Sequence, residues 1–127
     1  MKFWLFNHPW EDYKKTAEFI GFDSEKERGL VCAGDKIVYC GNGLVAGIFE
    51  AGESIENAFS GWKEPLPFQI RLRRLFVPDV DLVAKPLRYK TQLEKPFSGS
   101  GNLYRLSEQE YRKIELVIRE KKRELVY

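Results

Sequence analysis

The stretch from Gly34 to Glu50 constrains this chain most. Two β-prone runs, Lys36-Ile37-Val38-Tyr39-Cys40 and Leu44-Val45-Ala46-Gly47-Ile48-Phe49, flank Asn42-Gly43. Asn followed by Gly readily takes the two positive φ angles of a type I′ turn, so the stretch reads as a β-hairpin. Gly34-Asp35 supplies a turn pair just before the first run. Gly47 lies inside the second, where a missing side chain marks a bulge or a bend, and such bends let a small sheet curl into a barrel. Both runs are apolar at nearly every position, which predicts strands buried on both sides in the middle of a sheet. The hairpin is therefore scaffold, and chemistry is expected around its rim.

The 127 residues suit a single domain, 1–127, large enough to bury a real core. No run is long and apolar enough to span a bilayer. Met1 to Phe6 meets Asn7 and His8 too early for a signal peptide, so a cytoplasmic location is expected. Cys32 and Cys40 are the only cysteines and His8 the only histidine, which leaves no ligand set for a zinc site and no disulfide framework. Neither a metal nor a cofactor is expected, and both cysteines read as small buried hydrophobes. Net charge is +2, unevenly spread: residues 1 to 62 carry six Lys/Arg and ten Asp/Glu, residues 63 to 90 seven Lys/Arg and three Asp/Glu. The locally basic middle is compatible with a phosphate backbone lying over one face, or with ordinary surface.

Taken in order, Lys2 to Phe6 predicts a strand. Pro9, followed by Glu11 and Asp12, reads as a helix start. Trp10, Tyr13, Ala17 and Ile20 recur at helical spacing, so the helix is expected to reach Ile20 and stop at Gly21. Phe22 to Arg28 reads as a charged loop. Gly52-Glu53-Ser54 should end the hairpin, with Ser54 and Asn57 starting one helical turn over Ile55 to Phe59. Phe68, Ile70 and Leu72 alternate with Gln69, Arg71 and Arg73, a strand with a basic outer face whose phase fails at Arg73-Arg74 and predicts a bulge or an end there. Ser107 and Glu110 form a capping box for a C-terminal helix with an apolar stripe of Tyr111, Ile114, Val117 and Ile118.

The catalytic signals are thin. Gly99-Ser100-Gly101-Asn102 lacks the Gly-Lys-Ser/Thr ending of a phosphate loop, and no Gly-x-Ser-x-Gly elbow is present. His8 is the one candidate general base, against the reading of an exposed loop histidine. No complete catalytic constellation is present, so a non-enzymatic protein is expected. Trp4, inside an apolar strand, reads as core. Trp10 and Trp62 lie at element ends beside polar or Gly-rich residues, where an aromatic either packs or lines a pocket for a planar ligand.

The order Phe3 to Asn7, Trp10, Ala33 to Tyr39, Val45 to Glu50, Pro67 to Leu72, Lys85 to Leu87 and Leu106 to Tyr111 resembles the EVE domain. That family belongs to the PUA-like superfamily, alongside the ASCH and YTH domains, and the resemblance runs from Phe3 to about Ile118. It implies an α+β fold: a small bent β-barrel, mixed but mostly antiparallel, with flanking helices and a cleft suited to a nucleobase. By position, Asn7 matches the polar residue ending the first strand, Trp10 the aromatic after it, and Tyr39 the aromatic ending the Gly-Asp strand. Phe97 to Asn102, including Ser98, corresponds to the loop before the last helix. Relatives often carry an aromatic or basic residue where this chain has Ser98-Gly99-Ser100-Gly101.

The expectation is a module that binds nucleic acid, RNA rather than DNA, and recognises a flipped and possibly modified base. Trp10, Trp62 and Tyr39 would be walls, Asn7 and Asn102 would read the edge, and His8, Phe97 and Ser98 would border the cleft. Arg71, Arg73, Lys85 and Arg88 would hold phosphates. Two alternatives stay open: an RNA-acting enzyme of ASCH type using His8 with a nearby Lys or Tyr, and a sensor of a free nucleotide or metabolite.

Overall fold

The computed structural model describes residues 1–8, 15–16, 18–41, 44–76 and 103–124. They form six strands and two helices: β1 (Phe3–Asn7), β2 (Phe19–Phe22), α1 (Glu25–Arg28), β3 (Lys36–Gly41), β4 (Leu44–Glu56), β5 (Phe68–Phe76), β6 (Leu103–Leu106) and α2 (Glu108–Glu124). The strands make one sheet in the order β2-β5-β4-β3-β1-β6. β1 runs parallel to β3, and every other neighbouring pair is antiparallel. The architecture is therefore α+β with a mixed, mostly antiparallel sheet, and among the described residues β2 and β6 do not pair to close it. No described helix is long and apolar enough to cross a membrane.

The hairpin sits where its composition places it, β3 and β4 being the two central strands. Gly41 pairs with Leu44, and the turn expected at Asn42-Gly43 lies outside the described residues. With no solvent face to serve, β1 and β3 alternate between two cores instead of between core and water. Phe3, Leu5, Val38, Cys40 and Ile48 meet Leu106, Tyr111 and Ile114 on the α2 side. Trp4, Phe6, Ile37, Tyr39, Phe49 and Ala51 meet Ile20, Phe22, Ile70 and Leu72 on the other. The capping box forms as the spacing predicts: Glu110 N donates to Ser107 Oγ at 3.1 Å and Ser107 N donates to Glu110 Oε1 at 2.9 Å. Phe3 and Tyr111 then dock the helix, ring centroids 4.5 Å apart.

Three register breaks bend the sheet. Tyr39 pairs with Gly47 but Cys40 with Val45, which leaves Ala46 extra beside the glycine that signals the bend. Phe49 pairs with Arg74 but Ile48 with Phe76, so the phase failure at Arg73-Arg74 is a bulge at Leu75, within a strand that continues to Phe76. The third break lies between Ala51 and Ser54, where the hairpin was expected to end. Instead β4 absorbs Gly52-Glu53 as a bulge opposite Arg71 and runs on to Glu56. No helical turn forms over Ile55 to Phe59, because Ile55 and Glu56 are paired with Gln69 and Phe68.

Other expectations are also corrected. The first helix does not reach Ile20: Lys15 is helical, Thr16 is not, and Phe19 to Phe22 is an edge strand paired with β5. Phe19, Ile20 and Phe22 are all buried, and that gain outweighs a helical period that fits Ile20 equally well. The supposed loop after it contains α1, whose N-cap Ser24 accepts from Glu27 N at 3.3 Å. Cys40 is a buried core thiol as expected, whereas Cys32 is exposed in the turn before β3.

Asp35 organises that turn. The residue is 2% exposed, and its carboxylate accepts from Lys2 N, from Cys32 N and from Trp4 Nε1 at 2.9, 2.9 and 3.0 Å. Burial alone would raise this carboxyl, but the hydrogen bonds from Cys32, Lys2 and Trp4, with the Lys2 charge, outweigh it and hold it below its ordinary value. Gly34 precedes it with φ +90°, a conformation only glycine adopts cheaply.

Candidate functional site

Beyond β4 the chain turns at Asn57, φ 53°, a left-handed conformation that asparagine tolerates. Asn57 N then donates to Pro67 O at 3.0 Å, closing residues 57–67 into a loop with adjoining ends. The loop is laced from inside by Gln69. That side chain, in phase with Arg71 and Arg73, is expected on the basic outer face but is 1% exposed. Its Nε2 donates to Phe59 O at 2.7 Å and to Leu66 O at 2.9 Å, and its Oε1 accepts from Phe59 N at 3.0 Å. Those partners lie three and ten residues upstream, which is why the alternation could not reveal them.

The loop delivers Trp62. Gly21, paired directly with Gln69, leaves room for it: a Cβ there would stand 2.5 Å from Trp62 Cζ3 and 2.9 Å from Cη2. Gly21 is thus a notch for the benzo edge of the indole and not the helix stop its neighbours suggested. A glycine inside the β-prone run Phe19-Ile20-Gly21-Phe22 was the available signal for such a close approach. Phe59 stacks edge-on to Trp62 at 5.0 Å, and His8 stands perpendicular to it, centroids 5.5 Å apart and planes at 84°. Trp62 is 7% exposed, and its Nε1 is buried with no hydrogen-bond partner among the described residues.

His8 is buried, 4% exposed, and is not the exposed loop residue of the simpler reading. Its backbone N donates to Cys40 O at 2.9 Å and so extends the β1–β3 ladder. A hydrogen bond of 2.9 Å joins its Nδ1 to Tyr39 Oη. Tyr39 is fully buried between Phe6 and Phe49, so it enters the site through its hydroxyl and not as an exposed wall. Asn7, also buried, pairs with Cys40 through its backbone and is in phase with Phe3 and Leu5, whose side chains face α2. His8, Tyr39 and Trp62 therefore meet at one end of the β1–β3 pair, on the face opposite the one that Asn7 shares with Phe3 and Leu5.

Trp10, Phe97, Ser98, Asn102, Lys85 and Arg88 lie outside the described residues. Arg71 and Arg73 are on the sheet surface, each beside a carboxylate. Arg71 Nε meets Glu53 at 3.1 Å and covers the Phe19 ring at 5.0 Å, and Arg73 meets Glu50 at 3.1 Å. Glu50 also accepts from Lys36 at 2.8 Å, so Lys36, Glu50 and Arg73 form a charged row across three adjacent strands. Among the described residues, no three of His, Cys, Asp and Glu converge as a metal site would require.

No protein-family profile matches the chain, and no curated protein matches it. Among solved structures, the crystal structure of protein Atu2648 from Agrobacterium tumefaciens, a structural-genomics target, is similar. It aligns over 96% of this chain and 93% of its own at 21% identity, with a TM-score of 0.50, a likeness of fold alone.

Proposed function

We propose that this chain is a non-enzymatic nucleic-acid-binding module of the EVE type, PUA-like in fold, that takes an unstacked RNA base against His8 and Trp62. One observation carries the reading: the Trp62 indole N–H is closed off from solvent without an acceptor among the described residues. A buried donor left unpaired costs roughly 1–3 kcal/mol, so the fold keeps an unmet demand at this point. The edge of a nucleobase supplies acceptors, and aromatic rings suit its flat faces. Because the N–H is enclosed, uptake of a base entails local movement around the indole.

The test is a titration of the four nucleosides and of short single-stranded RNA and DNA into the parent protein, Trp62→Ala and Trp62→Phe. Base stacking is worth roughly 1–3 kcal/mol, so Trp62→Ala should weaken binding about tenfold or more, and Trp62→Phe should report the N–H separately. Unchanged affinity in a folded Trp62→Ala protein, or no binding by the parent, defeats the proposal.

A second reading, an enzyme acting on RNA, is favoured by the 2.9 Å His8–Tyr39 contact, which supplies the tyrosine partner that a metal-free acid–base pair needs. RNA cleavage by the pure protein that disappears in His8→Ala would select it over simple binding.

A further inference from the structure

We infer that the 57–67 loop is a fixed mount for the Trp62 indole and that Gln69, backed by Gly21, is its positioning residue; this rests on Trp62 being the donor that meets the bound base. Gln69 touches the loop on both sides of Trp62, at Phe59 three residues before it and at Leu66 four residues after it. Both amide hydrogens and the amide oxygen are committed to loop backbone, so a side chain buried to 1% exposure is satisfied through that segment. Asn57 N closes the neck on Pro67 O, and Phe59 braces the indole from within the loop.

Gly21 sets the remaining degree of freedom. It stands opposite Gln69 in the β2–β5 ladder, and the benzo edge of the indole lies against it. The pyrrole nitrogen is at the other end of the ring system, so seating Cζ3 and Cη2 on Gly21 turns Nε1 away from β2. A mobile lid is held by few buried contacts, whereas this loop is held by an interior amide, a closed neck and a ring seated on backbone. Gln69 thereby orients a donor that it does not touch, and such preorganisation favours binding.

Hydrogen exchange of the indole N–H groups in 15N-labelled protein decides the matter, with the Trp4 indole, held by Asp35, as internal reference. Gln69→Met keeps the volume and removes all three hydrogen bonds. Gly21→Ala disturbs the indole, and Leu66 next to it, from the opposite side while keeping the Gln69 side chain. Each variant should speed exchange at Trp62 Nε1 by about tenfold or more and leave Trp4 unchanged. Exchange that rises equally at both indoles, or that stays unchanged at Trp62 in both variants, overturns the inference. Titration with nucleosides separates it from the functional reading: a parent protein that binds none of them defeats that reading while the exchange data still decide the mount. Where nucleosides bind, the loss caused by Gln69→Met should vanish in a Trp62→Phe background, and an equal loss in both backgrounds counts against Gln69 acting through Trp62.

Discussion

Trp4 Nε1 donates to Asp35 Oδ2 at 3.0 Å, a contact across 31 residues of chain that ties the first strand to the turn entering the third. Asp35 also receives the Lys2 and Cys32 backbone N–H groups, and these bonds favour its ionised form, so the folded carboxyl titrates below its unfolded value. The stability it contributes is fully present above the unfolded pKa of about 3.9 and is lost as pH falls through the lower folded value. Asp35→Asn keeps the shape but sets an amide N–H₂ against donors, at a cost of roughly 1–3 kcal/mol near neutral pH. Thermal melts of both proteins from pH 7 to pH 3 check this: the gap should narrow as pH drops below about 4. A constant gap would show that charge is not the source.

The capping box gives a prediction away from any site. Ser107→Ala removes the acceptor of Glu110 N–H at a helix start and should destabilise by about 0.5–2 kcal/mol without altering ligand binding. Urea unfolding monitored by circular dichroism measures it, and a change below about 0.3 kcal/mol would mean that tertiary docking of Tyr111 sets this terminus alone.

Arg71 and Arg73 each face a carboxylate, exposed pairs worth about 0.2–1 kcal/mol at most, which a phosphate can displace. If the charged row tracks a nucleic-acid backbone, log affinity for a short single-stranded RNA against log salt should flatten by roughly 0.7–0.9 for each arginine neutralised in Arg71→Gln, Arg73→Gln. Equal slopes for parent and double variant would leave the row as ordinary surface, as a ligand without phosphates would.

The two thiols should react very differently. Cys32 is exposed, while burial pushes the Cys40 thiol well above its ordinary value and keeps it un-ionised in the core. Ellman titration of the native protein at pH 8 should count one thiol promptly and the second only on denaturation. Prompt reaction of both, with Cys32→Ser as a check, would mean that the core opens readily.

Much of the scaffold was legible in the chain because the signals are local. The two apolar runs that pair as β3 and β4, Gly47 beside a bulge, the lost phase after Arg73 and the Ser107/Glu110 pair each act within a few residues of backbone. The failures share one cause. Phe19 to Phe22 carries both a helical and an extended pattern, and only pairing with β5 decides between them. Ser54 and Asn57 look like a cap until β4 is seen to continue past the bulge at Gly52-Glu53. Gln69 carries no sign in its own neighbourhood of the loop that lies on it, and Gly21 signals only that something approaches closely. What the sequence by itself determined is the central hairpin, the two-sided apolar strands and the C-terminal helix, since turn geometry and side-chain period are set by neighbours along the chain. Only the tertiary structure decided which polar groups are buried together, as with Asp35 under Trp4, His8 on Tyr39 and an unpaired Trp62 N–H, because these depend on contacts between residues far apart in sequence.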